Sequence, residues 1–326
     1  LRNGYTTGST ATAAALYAAI YQTSNKPLSS VEITLPDNSV LNIPVGIDKS
    51  GVFAVKDAGD DIDVTDKMKI YASLDLNESG EITIKGGQGI GRVTKSGLQI
   101  PVGQHAINPV PRKMIADNIK PLLEGRGAVV TIYAPEGERI AKETFNEKIG
   151  IIGGISIIGT TGIVTPMSVD AIIETIKCEI DVAVAEKKQN ICLVPGKLGE
   201  KHLLRQYPNM HPIQISNYAG EALKYAFSSG IKDISIAGHP GKLCKLSMGY
   251  YNTHSKHSPM AQDWLAEKLE LKGDFNTVED ILTHPKCPDM SSVASELGKK
   301  LEKEFGFTKV SIIFYNMKGG NKGERI

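Results

Sequence analysis

The sequence predicts two bodies of different class. Residues 1–147 read as an α+β, strand-rich domain, and residues 148–326 as a Rossmann-like α/β domain with a mostly parallel sheet. Three observations lead there. From Val31 to about Phe145 short alternating runs dominate, with little helical periodicity between them. Beyond Gly150 strands and helices take turns, the pattern of a doubly wound sheet. Between the two lies a glycine-laced apolar run, IGIIGGISIIGTTGIV, which places the boundary near residue 147. A chain of 326 residues with 41% hydrophobic residues can fill two such cores.

The first domain opens on GYTTGSTATAAALYAAIY, a polar loop feeding a strong helix former. Ser9 or Thr10 can cap that helix, and the hydroxyls of Thr6 and Thr7 lie beside its N-terminal amides. Such a loop either caps the helix or holds a carboxylate or phosphate. Val31, Ile33 and Leu35 alternate, Pro36-Asp37-Asn38 turns, and Leu41, Ile43 and Val45 alternate again, which predicts a hairpin. Further strands are expected over 52–55, 69–72, 81–85 and 128–133. A helix follows Pro111, with Met114, Ile115, Ile119 and Leu122 on one side, and Pro121 should end it.

In the second domain the apolar run should form a buried strand ending in Gly159-Thr160-Thr161-Gly162. A helix from about Ser168 carries Val169, Ile172, Ile173, Ile176 and Ile180 on one face. Strand 190–194 ends in Pro195-Gly196 and leads to a helix around Leu203. Strand 212–215 leads to a helix closed by Gly230. Strand 233–237 breaks at Gly238-His239-Pro240-Gly241 before a helix with Leu243, Leu246 and Tyr250. Helices around Trp264 and Leu297 precede a last strand over 310–315. Strand carboxyl ends are where open sheets bind ligands, so the three Gly/Pro loops predict a nucleotide-like cofactor.

Composition excludes several classes. A net charge of +1 argues against nucleic acid as a partner. The four cysteines form no C-x-x-C pair and no disulfide framework, which points to a reducing cytoplasm. No apolar run reaches the ~18 residues of a membrane helix. The Ala-rich stretch 11–20 lacks a convincing cleavage site and reads as a helix. KDAGDDIDVTD is acidic but does not follow the EF-hand order of ligands. GGQGIGRVTKSG lacks the G-x-G-x-x-G spacing, and Arg92-Val93-Thr94-Lys95 after it looks like strand, so a dinucleotide fingerprint fails. Arg112 and Lys113 sit at a helix start, where a bound anion would rationalise cations. Asn252, Thr253, His254 and Ser255 crowd four polar side chains into one turn. His254 is the candidate nearest to chemistry, since an imidazole can accept a proton near neutral pH.

GYTTGS, VKDAGDD, GGQGIGRVTKSGLQIPVGQHAINPVPRKMI, IIGGISIIGTTGIVTPMS and AGHPGKLCKLSMGYYNTHS together resemble the CbiD family in order and spacing. Thr10 stands where relatives commonly have cysteine, and Ile62 where they have proline. The resemblance implies methyl transfer from S-adenosyl-L-methionine to C-1 of cobalt-precorrin-5B, giving cobalt-precorrin-6A in anaerobic cobalamin biosynthesis. Cobalt then enters only as part of the substrate, with no protein metal site. The corrinoid's carboxylate arms call for cations, and Thr6, Thr7, Arg92, Lys95, Arg112, Lys113 and Lys242 are the substrate-binding candidates. Thr160, Thr161, Gly162, Pro195, Gly196, Gly238 and His239 are the cofactor candidates. The first domain is then the substrate side of a cleft and the second the cofactor side. No membrane or nucleic-acid partner is expected, and a homo-oligomer is compatible with the sequence. Two rivals stay open: a nicotinamide-dependent reductase of a corrin precursor, and a non-catalytic tetrapyrrole carrier with His239 or His254 as axial cobalt ligand.

Overall fold

A computed structural model describes residues 1–326, which divide into two units, Leu1–Ser168 and Val169–Ile326. The first unit contains β1 (Gly4–Tyr5), α1 (Thr7–Ser24), β2 (Ser30–Thr34), β3 (Val40–Asp48), β4 (Gly51–Val55), β5 (Lys69–Asn77), β6 (Ile82–Gly86) and β7 (Arg92–Val93). It continues with α2 (Pro109–Ile119), β8 (Gly127–Tyr133), α3 (Gly137–Ala141), β9 (Ile151–Ile152) and β10 (Ile163–Val164). Its main sheet has the order β2-β3-β4-β5-β8-β6, antiparallel except where β6 runs parallel to β8. The hairpin expected over 31–45 is present, with Ile33 opposite Leu41.

Helix α1 packs against this sheet and α2 and is buried from Thr7 to Ala19. A helix apolar or small on every side is a core helix. Its Ala, Gly, Ser and Thr residues let neighbours approach closely, and Thr10 and Thr12 return their hydroxyls to Thr6 and Gly8 carbonyls. Pro121 falls in a short 3-10 turn (Lys120–Leu122) directly after α2.

The second unit contains α4 (Val169–Ala185), β11 (Ile191–Val194), α5 (Lys197–Gln206), β12 (His211–Gln214), α6 (Ala219–Ser228), β13 (Asp233–Gly238) and α7 (Pro240–Ser247). Then follow α8 (Gln262–Lys268), α9 (Val278–Thr283), α10 (Ser291–Phe305), β14 (Lys309–Tyr315) and β15 (Asn321–Arg325). The sheet order is β12-β11-β13-β14-β15; the first four strands are parallel and β15 is antiparallel. Alternate strand residues serve two cores. Ile191, Leu193, Ile234, Ile236, Val310 and Ile312 pack with α4, α6, α7 and α10, while Cys192, Val194, Ala237, Ile313 and Tyr315 pack with Leu203 of α5. All four cysteines are free thiols. No helix is long and apolar enough to cross a membrane.

The division falls at Ser168/Val169 and not near 147. The reason is in the apolar run itself. Gly150, Gly153, Gly159 and Gly162 all have positive φ, which breaks the run before it can form one long strand. Its pieces pair inside the first unit instead: β9 with β7, Ile155 with Ile90, Ile157 with Ile107, and β10 with β1. The buried strand expected there to open the parallel sheet is therefore absent from that sheet, which begins at β11.

Candidate functional site

Strand β11 sends the chain outward to β12, and the return to β13 lands on the other side of β11. That reversal opens a crevice at the carboxyl ends of β11 and β13, the position where open α/β sheets take ligands. Five candidates come together there: Pro195 and Gly196 after β11, Gly238 and His239 at the end of β13, and Lys242 of α7, expected to bind substrate. They line a cleft of about 260 Å³ with Lys197, His202, Tyr315, Asn316 and Met317. A Cβ on Gly238 would sit 3.0 Å from Pro195 Cδ, so glycine allows the two loops to close on each other.

His239 is held at both ring nitrogens. Its Nδ1 accepts from the Gly241 N–H at 3.0 Å, which places the neutral ring's proton on Nε2, and Nε2–H donates to Glu279 Oε2 at 2.9 Å. The Glu279 carboxylate also accepts the Met317 N–H at 3.3 and 3.4 Å. One carboxylate thus ties α9 to the loops after β13 and β14. Beyond this tie lies a second cavity of about 330 Å³, lined by His239, Lys245, Gln262, Thr277, Glu279 and Met317 among others.

The charge of the first cleft is one-sided. Lys197 and Lys242 line it and no Asp or Glu does. Burial, with Lys245 nearby, pulls Lys242 below the usual lysine value. Helix α5 begins in this cleft with Gly196 at its N-cap, so no side chain caps it. His202 Nε2 and the Tyr315 hydroxyl are buried without a hydrogen-bond partner. Burial pushes the Tyr315 hydroxyl up, so it stays protonated.

The remaining cofactor candidates lie elsewhere. Thr160, Thr161 and Gly162 belong to the first unit, where the Gly162 carbonyl accepts from Thr6 N–H (3.0 Å) and Ser9 Oγ (2.7 Å). This corrects their expected place at the parallel sheet, and the cause is the broken apolar run. The same loop takes up the hydroxyls of the opening motif. Thr6 Oγ1 caps α1 by accepting from Ser9 N–H, and Thr7 Oγ1 donates to the Ser156 carbonyl and accepts from Ile158 N–H.

Among the first unit's cations, Arg92 and Arg112 gather around His105 (Arg92 faces it across an isolated antiparallel bridge), while Lys95 and Lys113 do not. Burial first, then the two arginines, lowers the His105 pKa. Arg112 is half-buried, with Nε donating to Ile107 O (2.8 Å) and Nη1 to Ile84 O (2.7 Å); Arg92 Nη1 donates to Gly103 O (2.9 Å). Lys95 reaches the Lys148 carbonyl (3.3 Å), and exposed Lys113 pairs with Asp117 at 2.5 Å.

His254 is exposed in a loop organised by a buried lysine. Lys245 Nζ donates to the Thr253 carbonyl (3.0 Å) and to Ser258 Oγ (3.1 Å). His254 Nδ1 accepts from Lys256 N–H (3.1 Å), so the neutral ring carries its proton on the exposed Nε2. In that tautomer the ring can donate to a carboxylate. His254 lines neither cavity of the second unit.

Comparison with known proteins fits these motifs. A family model described as CbiD matches residues 1–166. The cobalt-precorrin-5B C(1)-methyltransferase of Alkaliphilus oremlandii is 50% identical, over 78% of this chain and 73% of that protein. The chain belongs to the CbiD family. The proteins of the same name from Treponema denticola (45% identical; 86% of this chain, 81% of that one) and Methanococcus maripaludis (39%; 98% and 96%) extend the match through the second unit. The crystal structure of the cobalamin biosynthesis protein CbiD from Archaeoglobus fulgidus is 28% identical, covers 81% of this chain and 84% of that one, and has a TM-score of 0.45.

His202, Tyr315, Asn316 and Glu279 escaped sequence reasoning as members of a site. Tyr315 and Asn316 carried a usable signal, since they end a strand of an α/β sheet. Glu279, on a six-residue helix remote in sequence, carried none.

Proposed function

We propose that this chain is a cobalt-precorrin-5B C(1)-methyltransferase that takes its methyl group from S-adenosyl-L-methionine. The observation that carries the reading is 39–50% identity, over most of the chain, to proteins of that name. When bound, S-adenosyl-L-methionine supplies an electrophilic methyl group on a sulfonium. The protein's task is to align donor and acceptor carbon at ~3–3.5 Å and exclude water.

The second unit, read as a Rossmann-like domain from the order and direction of β11–β14, holds the donor at its β11/β13 crevice. Pro195-Gly196 and Gly238-His239 form the walls, and the backbone of Gly196 and Gly238 allows close approach. The Glu279 tie fixes the His239 ring, so the wall is formed before the ligand arrives. In the first unit, Arg92 and Arg112 beside His105 suit the acetate and propionate arms of the macrocycle. The donating Nε2–H of His254 suits another arm. Against a carrier role, both nitrogens of His239 are engaged.

Parallel calorimetric titrations with S-adenosylhomocysteine and NADPH test the reading. Micromolar binding of the first and none of the second is expected, followed by passage of labelled methyl from S-adenosyl-L-methionine to cobalt-precorrin-5B. Binding of NADPH alone would favour a reductase. Corrinoid binding with the label left on the donor would favour a carrier.

A further inference from the structure

We infer that the cleft at the ends of β11, β13 and β14 is a carboxylate site, with donors from Lys242, the α5 N-terminus, His202 and Tyr315. Three independent features converge. The lining holds two lysines and no acid. Helix α5, ten residues long, opens into it through Gly196 without a side-chain cap, leaving the positive end of its dipole uncovered. His202 is 9% exposed and Tyr315 1% exposed, yet Nε2 of one and the hydroxyl of the other have no partner. Buried polar atoms in folded proteins are nearly always paired, so two orphans in one cleft mark where a bound group completes the network. A volume of about 260 Å³ suits an acetate or propionate arm or an amino-acid terminus, and not a whole macrocycle.

The choice of carboxylate rests on the methyl-transfer reading, because both molecules joined in that reaction carry one. The donor has its α-carboxylate, and the corrinoid has its acid arms. Four probes separate these sources by calorimetry: S-adenosylhomocysteine, its decarboxylated analogue, cobyrinic acid, and cobinamide with its arms amidated. Each is titrated into the wild-type chain, Lys242→Met and Gly196→Asp. The second substitution is chosen for its opposite effects on folding and binding. Gly196 is extended (φ 171°) and a Cβ there meets nothing within 4 Å. Aspartate at that N-cap should therefore stabilise α5 and raise Tm while placing a permanent carboxylate against the same donors.

If the donor's carboxylate is the occupant, wild type binds the decarboxylated analogue at least tenfold more weakly than S-adenosylhomocysteine. Both variants then lose about tenfold for the acid and nothing for the analogue. If a corrinoid arm is the occupant, that pattern appears for cobyrinic acid against cobinamide, and S-adenosylhomocysteine is unaffected. Either result supports the site. If at least one acid binds wild type, and every acid that does so binds both variants within twofold of wild type, the cleft holds only water: the inference falls and the methyl-transfer reading survives. If neither acid binds wild type, both fall.

Discussion

At the scale of single residues, the acidic stretch KDAGDDIDVTD shows how local hydrogen bonding decides a motif's use. Asp57 meets the Arg2 guanidinium with both oxygens at 2.6 and 2.7 Å, and that contact holds its carboxyl at about 2. Asp66 accepts from Ala58 N–H, and Asp63 accepts from Thr65 and pairs with buried Lys56 at 3.1 Å. The carboxylates brace a turn. His254 shows the same logic at a candidate catalytic position. His254→Asn keeps an oxygen that can accept the Lys256 N–H, so the loop should hold and Tm should change little. The Nε2–H is lost, and with it one contact to an acid arm, worth about 0.5–1.5 kcal/mol. The expected result is a several-fold rise in the corrinoid KM with kcat and its pH profile unchanged. A large fall in kcat would instead make the ring a proton carrier. An unaltered KM would leave it a loop former.

At the scale of elements, the glycine motifs are places where backbone meets backbone. Gly89 has φ +74°, and a Cβ on it would lie 1.8 Å from the Ala134 carbonyl oxygen; a Cβ on Gly154 would lie 2.2 Å from the Gly89 oxygen. GGQGIG and IIGGIS are therefore interlocking halves of one packing arrangement. Gly103, also at positive φ (+86°), has nothing within 4 Å of its Cβ site. Gly103→Ala should cost only the conformational term, about 1–2 kcal/mol. Gly89→Ala adds a clash with fixed backbone and should cost well over about 3 kcal/mol or prevent folding. Equal denaturant midpoints for the two variants would remove the interlock.

This pairing also explains what could be read in the sequence. The hairpin over 31–45, helix α2 and most helices and strands from 190 onward follow from apolar period and turn residues, which are local; the six-residue α9 is too short to show a period, and α7 ends at Ser247, leaving Tyr250 outside it. The run 150–164 misleads because its hydrophobicity suits a buried strand, while its partners, Ile90, Ile107 and β1, lie 50 to 160 residues earlier. Strand β15 (NKGER) had no apolar alternation to reveal it, since it forms the sheet edge through backbone pairing. The cleft was half legible. Pro195, Gly196, Gly238 and His239 were marked by loop chemistry, but His202 and Glu279 join through tertiary packing alone.

At the scale of the whole molecule, each unit has its own buried core, so ligand effects can be followed unit by unit. A ligand that binds only the folded state stabilises it by about 2.7 kcal/mol at a hundred times its Kd. Amides that exchange by local opening feel that stabilisation only where opening disrupts the ligand's contacts. Saturating S-adenosylhomocysteine should therefore slow hydrogen exchange in the loops after β11 and β13, in the first turn of α5 and around Met317. Strands β11, β13 and β14 are already buried on both faces and should respond less. The glycine-rich segment from Gly86 to Lys113, with Arg92, His105 and Arg112, should be unchanged by the donor analogue and slowed by the corrinoid. Protection by the donor analogue in that segment, with none at β11 and β13, would reverse the assignment of ligands to units.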